Sequence, residues 1–223
     1  IARPAGGTSC RLAISAKGGT NAENHNHNDV GSYAVALGSE TMVGDQGGPN
    51  SYPGDYFNGD APQKYKIKGS FGHPVPVVDG RTQSSGGKAK GVVLQKEFTN
   101  EKDVFSINYT SAYSTPNLDK LIRTFVYDRQ GKGSFTVGDE FTAKTPIRFE
   151  TAITTRADWK ILDDTHLLLA TDSEQMIVAI EASGKVAFTS ETIEVNSPAY
   201  TRIGIALKNQ SKEGYIRLKM YTK

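Results

Sequence analysis

Leu121-Ile122-Arg123-Thr124-Phe125-Val126-Tyr127 runs into Asp128-Arg129-Gln130-Gly131-Lys132-Gly133 and then into Ser134-Phe135-Thr136-Val137-Gly138-Asp139-Glu140-Phe141. The outer segments concentrate β-branched and aromatic residues with a period of two, the pattern of half-buried strands. The middle segment has the Asp and Gly content of a tight connection, so the whole reads as an antiparallel hairpin. The same rhythm recurs at Arg11–Lys17, Gly31–Leu37, Gly91–Phe98 and Val104–Tyr109, separated by Gly, Asn, Asp and Ser clusters. Helical periodicity nowhere persists for more than about two turns. The chain is expected to be all-β.

The composition changes near Ala143–Trp159. Before it, long loops rich in Gly, Asn and aromatic residues interrupt the strands. After it, shorter strands follow at regular spacing: Trp159–Leu162, His166–Ala170, Gln175–Glu181, Lys185–Phe188, Thr201–Leu207 and Gly214–Met220. This predicts a large β domain over residues 1–150 and a small C-terminal β-sandwich or extra sheet over 151–223. His166, between Asp164 and a Leu run, reads as structural. Two loops stand out. Gln46–Gln63 carries Tyr52, Tyr56 and Phe57 among Gly and Pro residues, and loops of that length inside a domain are more often functional than idle. Asp79–Lys90, rich in Gly and Ser, reads as a mobile surface turn.

Charge narrows the function classes. Lys and Arg number 26 against 24 Asp and Glu, so the basic face that nucleic acid requires is not expected. Scattered charges of this kind read as solvated surface. Cys10 is the only cysteine, which rules out an internal disulfide and a thiolate zinc site, and its apolar neighbours Leu12 and Ile14 suggest a buried strand residue. No apolar run has the length of a membrane span, and no signal-peptide pattern opens the chain. The first residue is Ile1, which suggests a processed or partial chain.

Three of the four histidines fall in the first third: His25, His27 and His73. On an extended segment the alternation His25-Asn26-His27 would aim both rings to one face. Either both imidazoles converge on one point, or one binds a metal while the other faces solvent or substrate. Asp45 closes the strand Glu40–Gly44, and His73 precedes the apolar run Pro74–Val78, so both stand at strand-to-loop junctions. Two imidazoles and a carboxylate suit a tetrahedral Zn²⁺ with water in the fourth place, although another divalent metal fits the same donors. A cupin competes weakly. Gly19, His25 and His27 open like its first motif, but no Glu follows in Asn28–Ser32 and His73 leads into Pro-Val-Pro-Val.

Asn24-His25-Asn26-His27-Asn28-Asp29-Val30-Gly31-Ser32-Tyr33, then Val43-Gly44-Asp45-Gln46-Gly47-Gly48, then Ser70-Phe71-Gly72-His73-Pro74-Val75-Pro76-Val77-Val78-Asp79-Gly80 resembles the heparinase II/III-like polysaccharide lyases. The motifs stand in the family's order across roughly Lys17 to Gly80. The resemblance implies a large antiparallel β super-sandwich that follows an α/α toroid, a partner domain this sequence lacks. It implies one structural zinc on His27, Asp45 and His73, with His25 in the substrate cleft. Tyr56 is the best match to the family's substrate-approaching Tyr, and Tyr52 is its neighbour. The implied substrate is an acidic polysaccharide such as heparan sulfate or alginate, and the implied location is the periplasm or exterior of a bacterium. His25 and Tyr56 are then the catalytic candidates, Tyr52 a substrate-binding one. Without the toroid the isolated chain is expected to be inactive, and the competing class is a metal-stapled glycan-binding or structural module.

Overall fold

The computed structural model describes residues 1–4, 6–44, 48–49, 51–195 and 197–223. The first strands are β1 (Leu12–Ala16), β2 (Thr20–Asn21), β3 (Tyr33–Leu37), β4 (Glu40–Val43), β5 (Val77–Val78) and β6 (Gly86–Lys90). Next come β7 (Val92–Phe98), β8 (Lys102–Asn108), β9 (Leu118–Asp128), β10 (Ser134–Ile147), β11 (Phe149–Thr155) and β12 (Asp158–Asp163). The remaining strands are β13 (His166–Ala170), β14 (Gln175–Ala182), β15 (Val186–Val195), β16 (Ser197–Leu207) and β17 (Ser211–Thr222). Among the described residues, helix is confined to one turn, α1 (Ala61–Lys64), and two 3-10 turns, Ser70–Gly72 and Thr110–Ala112. No helix among them is long and apolar enough to cross a membrane.

The strands form an eight-stranded sheet (β12-β13-β14-β17-β10-β9-β8-β7), a four-stranded sheet (β15-β16-β11-β5), a three-stranded sheet (β1-β3-β4) and the small pair β2-β6. All the pairings are antiparallel. The all-β sandwich expected from the sequence is therefore what forms. The boundary expected near residue 150 separates two styles of loop, whereas the sheets run across it: β17 lies between β10 and β14, and one apolar core joins Leu12, Tyr33 and Phe125 to Leu169, Ile205 and Leu218. β10 is an inner strand: β9 pairs with one side from the adjoining hairpin and β17 with the other, so its backbone groups are served across the expected boundary.

The hairpin β9–β10 forms as the alternation requires, with Tyr127 opposite Phe135, Phe125 opposite Val137 and Leu121 opposite Phe141. These side chains face the core, and Phe125 stacks on Phe135 with 6.1 Å between ring centroids. Fully burying such a side chain contributes about 1.5–3 kcal/mol. Between them, on the same inner face, Arg123 stands opposite Asp139. The connection needs its glycines: Gly131 and Gly133 have φ of +56° and +79°, and a Cβ on Gly133 would fall 2.2 Å from the Cys10 Sγ. Cys10 is buried, as expected, in the segment leading into β1.

Candidate functional site

The 3-10 turn Ser70–Gly72 delivers His73. Its N–H donates to the Ser70 carbonyl at 3.2 Å, and the backbone then returns to extended geometry. Glycine is required at 72, because a Cβ there would lie 2.3 Å from the Lys66 carbonyl oxygen. Tyr200 Oη donates to the Gly72 carbonyl at 2.8 Å, from a small separate core of Tyr56, Ile67, Ile193 and Tyr200. The His73 ring is fully buried, and its Nε2 is 3.2 Å from Nδ1 of His27. Two nitrogens bound to one tetrahedral zinc at about 2.0–2.1 Å each stand about 3.3 Å apart, so this pair has the spacing of two ligands to one ion. The other ring nitrogen of His27, Nε2, is 3.3 Å from Tyr56 Oη.

Asp45, the third expected ligand, lies outside the described residues, and so do Gln46 and Gly47. The residue before it is fixed: Gly44 N–H donates to the Thr154 carbonyl at 3.0 Å, and Thr154 Oγ1 donates to the Gly44 carbonyl at 2.6 Å. Among the described residues, no three His, Cys, Asp or Glu side chains gather at one point.

Buried polar residues that sequence reasoning missed hold the two histidine segments together. Arg123 pairs with Asp139 through Nε (2.8 Å) and Nη2 (2.7 Å), while its Nη1 donates to the carbonyls of Gly31 and Pro74, each at 2.7 Å. One guanidinium therefore ties the segment after His27 to the residue after His73. Gln83 does similar work. Its Oε1 accepts from Asn21 Nδ2 and Val30 N–H, its Nε2 donates to the Val30 carbonyl, and its own N–H donates to Ser70 Oγ. The segment 79–90, expected as a mobile surface turn, is thus partly an internal brace, with Gln83 buried and β6 paired to β2.

The polar run around the histidines also departs from expectation. It forms a turn in which His25 has φ of +57°, a conformation Asn, Asp and His tolerate better than bulky residues. Asn28 and Asp29 are buried, Asn28 Nδ2 donates to Ser85 Oγ at 2.9 Å, and Asp29 pairs with Lys17. The two rings therefore diverge instead of sharing the face of a strand: His27 meets His73, and the exposed His25 meets Phe57 edge-on at 4.8 Å.

His25 and Phe57 line an open groove of about 510 Å³, together with Asn24, Asn26, Asn58 and Lys68. Tyr56, expected in the cleft, is 1% exposed and is turned towards His27; Tyr52, 56% exposed, is the outward member of the aromatic cluster, 5.0 Å from Tyr56 and 5.2 Å from Phe57. Lys68 is buried at the groove. Its Nζ donates to the Tyr56 carbonyl at 2.5 Å and lies 4.9 Å and 5.0 Å from the Tyr56 and Phe57 ring centroids. Burial pulls its pKa below the ordinary lysine range. His166 is remote from this site, at the start of β13, with Nδ1 3.0 Å from Asp163.

No protein-family model matches the chain, and no curated protein matches it. Solved structures do share its fold. The heparan sulfate lyase HepC from Pedobacter heparinus superposes with a TM-score of 0.74 at 13% identity, over 95% of this chain and 33% of that one. A heparinase III gives 0.69 at 18% identity, over 89% of this chain and 30% of that one. The chain thus spans about a third of the length of these structures and matches their C-terminal part. At such identities the likeness is one of fold: this is the β-sandwich fold of that part of HepC and heparinase III, as the motif resemblance implied.

Proposed function

We propose that this chain is the β-sandwich wall of a polysaccharide lyase that cleaves a uronate-containing glycan by β-elimination, with a structural zinc on His27, Asp45 and His73. The observation that carries this reading is the division of labour within one short turn. His27 and His73 approach as two ligands of one ion do, while His25 is turned away from them into a groove rimmed by Asn24, Asn26 and Asn58. Amides suit sugar hydroxyls, because each offers both donors and an acceptor.

In this reading His27, Asp45 and His73 would hold the metal, and that shared ligation would keep the His25 turn and the Gly72-His73 turn in register. Tyr56 Oη, 3.3 Å from His27 Nε2, would accept an Nε2–H there and so select the tautomer whose Nδ1 ligates, the role outer partners commonly play at metal-bound histidines. That makes Tyr56 a positioning residue, with Tyr52 on the open side for substrate contact. In β-elimination a base removes the C5 proton of the uronate, the C4–O bond breaks with its electron pair on the leaving oxygen, that oxygen is protonated, and a C4=C5 double bond remains. His25 assists by neutralising the uronate carboxylate or moving a proton. An α/α toroid supplies the opposite wall, so the sandwich alone turns over little substrate. A periplasmic or extracellular location belongs to the same reading.

The test uses the polypeptide that carries both walls. His25→Ala is expected to lower formation of the ultraviolet-absorbing unsaturated uronate by about 10²-fold or more, with wild-type zinc content by elemental analysis. His73→Ala is expected to lose the zinc. Turnover of every uronate polymer at the wild-type rate in His25→Ala sinks the catalytic assignment. Stoichiometric metal retained in His73→Ala sinks the metal assignment.

A further inference from the structure

We propose that Lys68 is the anion-recognition residue of the His25 groove, its ammonium taking the carboxylate of an acidic sugar unit. The proposal rests on the glycan reading above and names the group that reads the substrate's charge.

Among the described residues, the other buried cations are all paired. Arg123 is paired with Asp139, Arg129 with Asp103 and Arg202 with Glu150, so each has a carboxylate at ion-pair distance. Lys68 is only 5% exposed, yet among the described residues its ammonium contacts one carbonyl, that of Tyr56, and the faces of two aromatic rings. An ammonium has three N–H donors, and a single acceptor leaves two of them uncommitted. A desolvated cation without an anion is costly, and an incoming carboxylate would offset that cost. Burial depresses the Lys68 pKa, in keeping with an uncompensated charge.

Lys68 and His25 line the same groove, and Phe57 touches both, with its ring 4.8 Å from His25 and 5.0 Å from the Lys68 Nζ. An anion entering there meets Lys68 against the aromatic floor and His25 on the rim, while the asparagine amides face the neutral part of the ligand. This combination fits a carboxylate carried on a hydroxylated ring better than a bare inorganic anion.

The experiment compares a tetrasaccharide of alternating glucuronate and N-acetylglucosamine with its carboxyl-reduced form. Binding is followed by titration calorimetry and by the ¹³Cε signal of Lys68 in lysine-labelled protein, assigned by its loss in Lys68→Met. The acidic tetrasaccharide is expected to move that signal and to bind at least about ten-fold more tightly than the reduced form. The preference falls to near unity in Lys68→Met and is largely restored in Lys68→Arg. An unmoved Lys68 signal in the wild type, or an undiminished preference in Lys68→Met, overturns the proposal. Should Lys68→Met fail to fold, the wild-type signal and Lys68→Arg still decide it. Lys68-dependent binding without elimination by the two-walled polypeptide would refute the lyase reading and leave the carboxylate site standing. Elimination that persists unchanged in Lys68→Met would do the reverse.

Discussion

Arg123 and Lys68 are both cations taken out of water, and their surroundings could hardly differ more. Arg123 sits on the inner face of the central hairpin with every direction of its guanidinium committed: Asp139 bidentately, Gly31 and Pro74 carbonyls, and Thr151 Oγ1 at 3.1 Å. Asp139 in turn accepts from Tyr109 Oη at 2.6 Å and Thr151 Oγ1 at 2.8 Å. Lys68 lies beside a groove with a carbonyl and two rings. The contrast separates two uses of buried charge. One is a closed network that fixes which loops meet; the other is an open one that still has bonds to give.

The largest effect is expected on emptying one half of the closed network. Arg123→Met is expected to cost about 3–5 kcal/mol, because it strands Asp139 and two carbonyls in the core. The measurement is equilibrium urea unfolding. A loss under about 1 kcal/mol would show that the network is not closed as described. Next in size is the coupling between the partners. In the cycle with Asp139→Leu, the double variant should be less damaged than the sum of the singles by about 1–3 kcal/mol. It should not return to wild type, since the Gly31 and Pro74 carbonyls stay unserved.

The smallest effect is expected at Lys68. Lys68→Met should unfold within about 1 kcal/mol of wild type at neutral pH, on the stable side. The sign follows from burial, which lowers the folded-state pKa of Lys68 below its unfolded value. As pH rises through the lowered pKa towards the ordinary lysine range, the unfolded chain binds more protons than the folded one. Wild type therefore gains stability with pH, and its gap to Lys68→Met closes. Thermal melts of both proteins across that alkaline window test it; a Lys68→Met variant crippled at neutral pH would place the two cations in one class.

The same contrast marks what the sequence could reveal. The alternation in 121–127 and 134–141 made the hairpin plain, because a strand's two faces are written locally with a period of two. It did not reveal that Arg123 and Asp139 occupy the inner face, since their pairing is a cross-strand contact that only register discloses. The histidines were legible as a set, and His27 and His73 do come together. The shape of the His25 turn was hidden because it depends on Gln83, more than fifty residues along the chain from Asn28. Lys68 gave no local sign at all: within Lys66-Ile67-Lys68 it resembles its neighbour, yet Lys66 is exposed and paired with Glu191. Packing beneath Tyr56 and Phe57 makes the difference, and that is decided by a loop whose fold has no periodicity to read.

The placement of β17 between β10 and β14 has a consequence for how the molecule assembles. Phe135 pairs with Met220 across 85 intervening steps of chain, so the middle of the largest sheet closes through one of the longest loops in the fold. Until that strand docks, β7–β10 and β12–β14 are two separate ribbons, each with an open edge. Closure entropy must be met before the joining ladder returns anything, and long-range closure of this kind slows folding. It also means that the two ribbons stand or fall together.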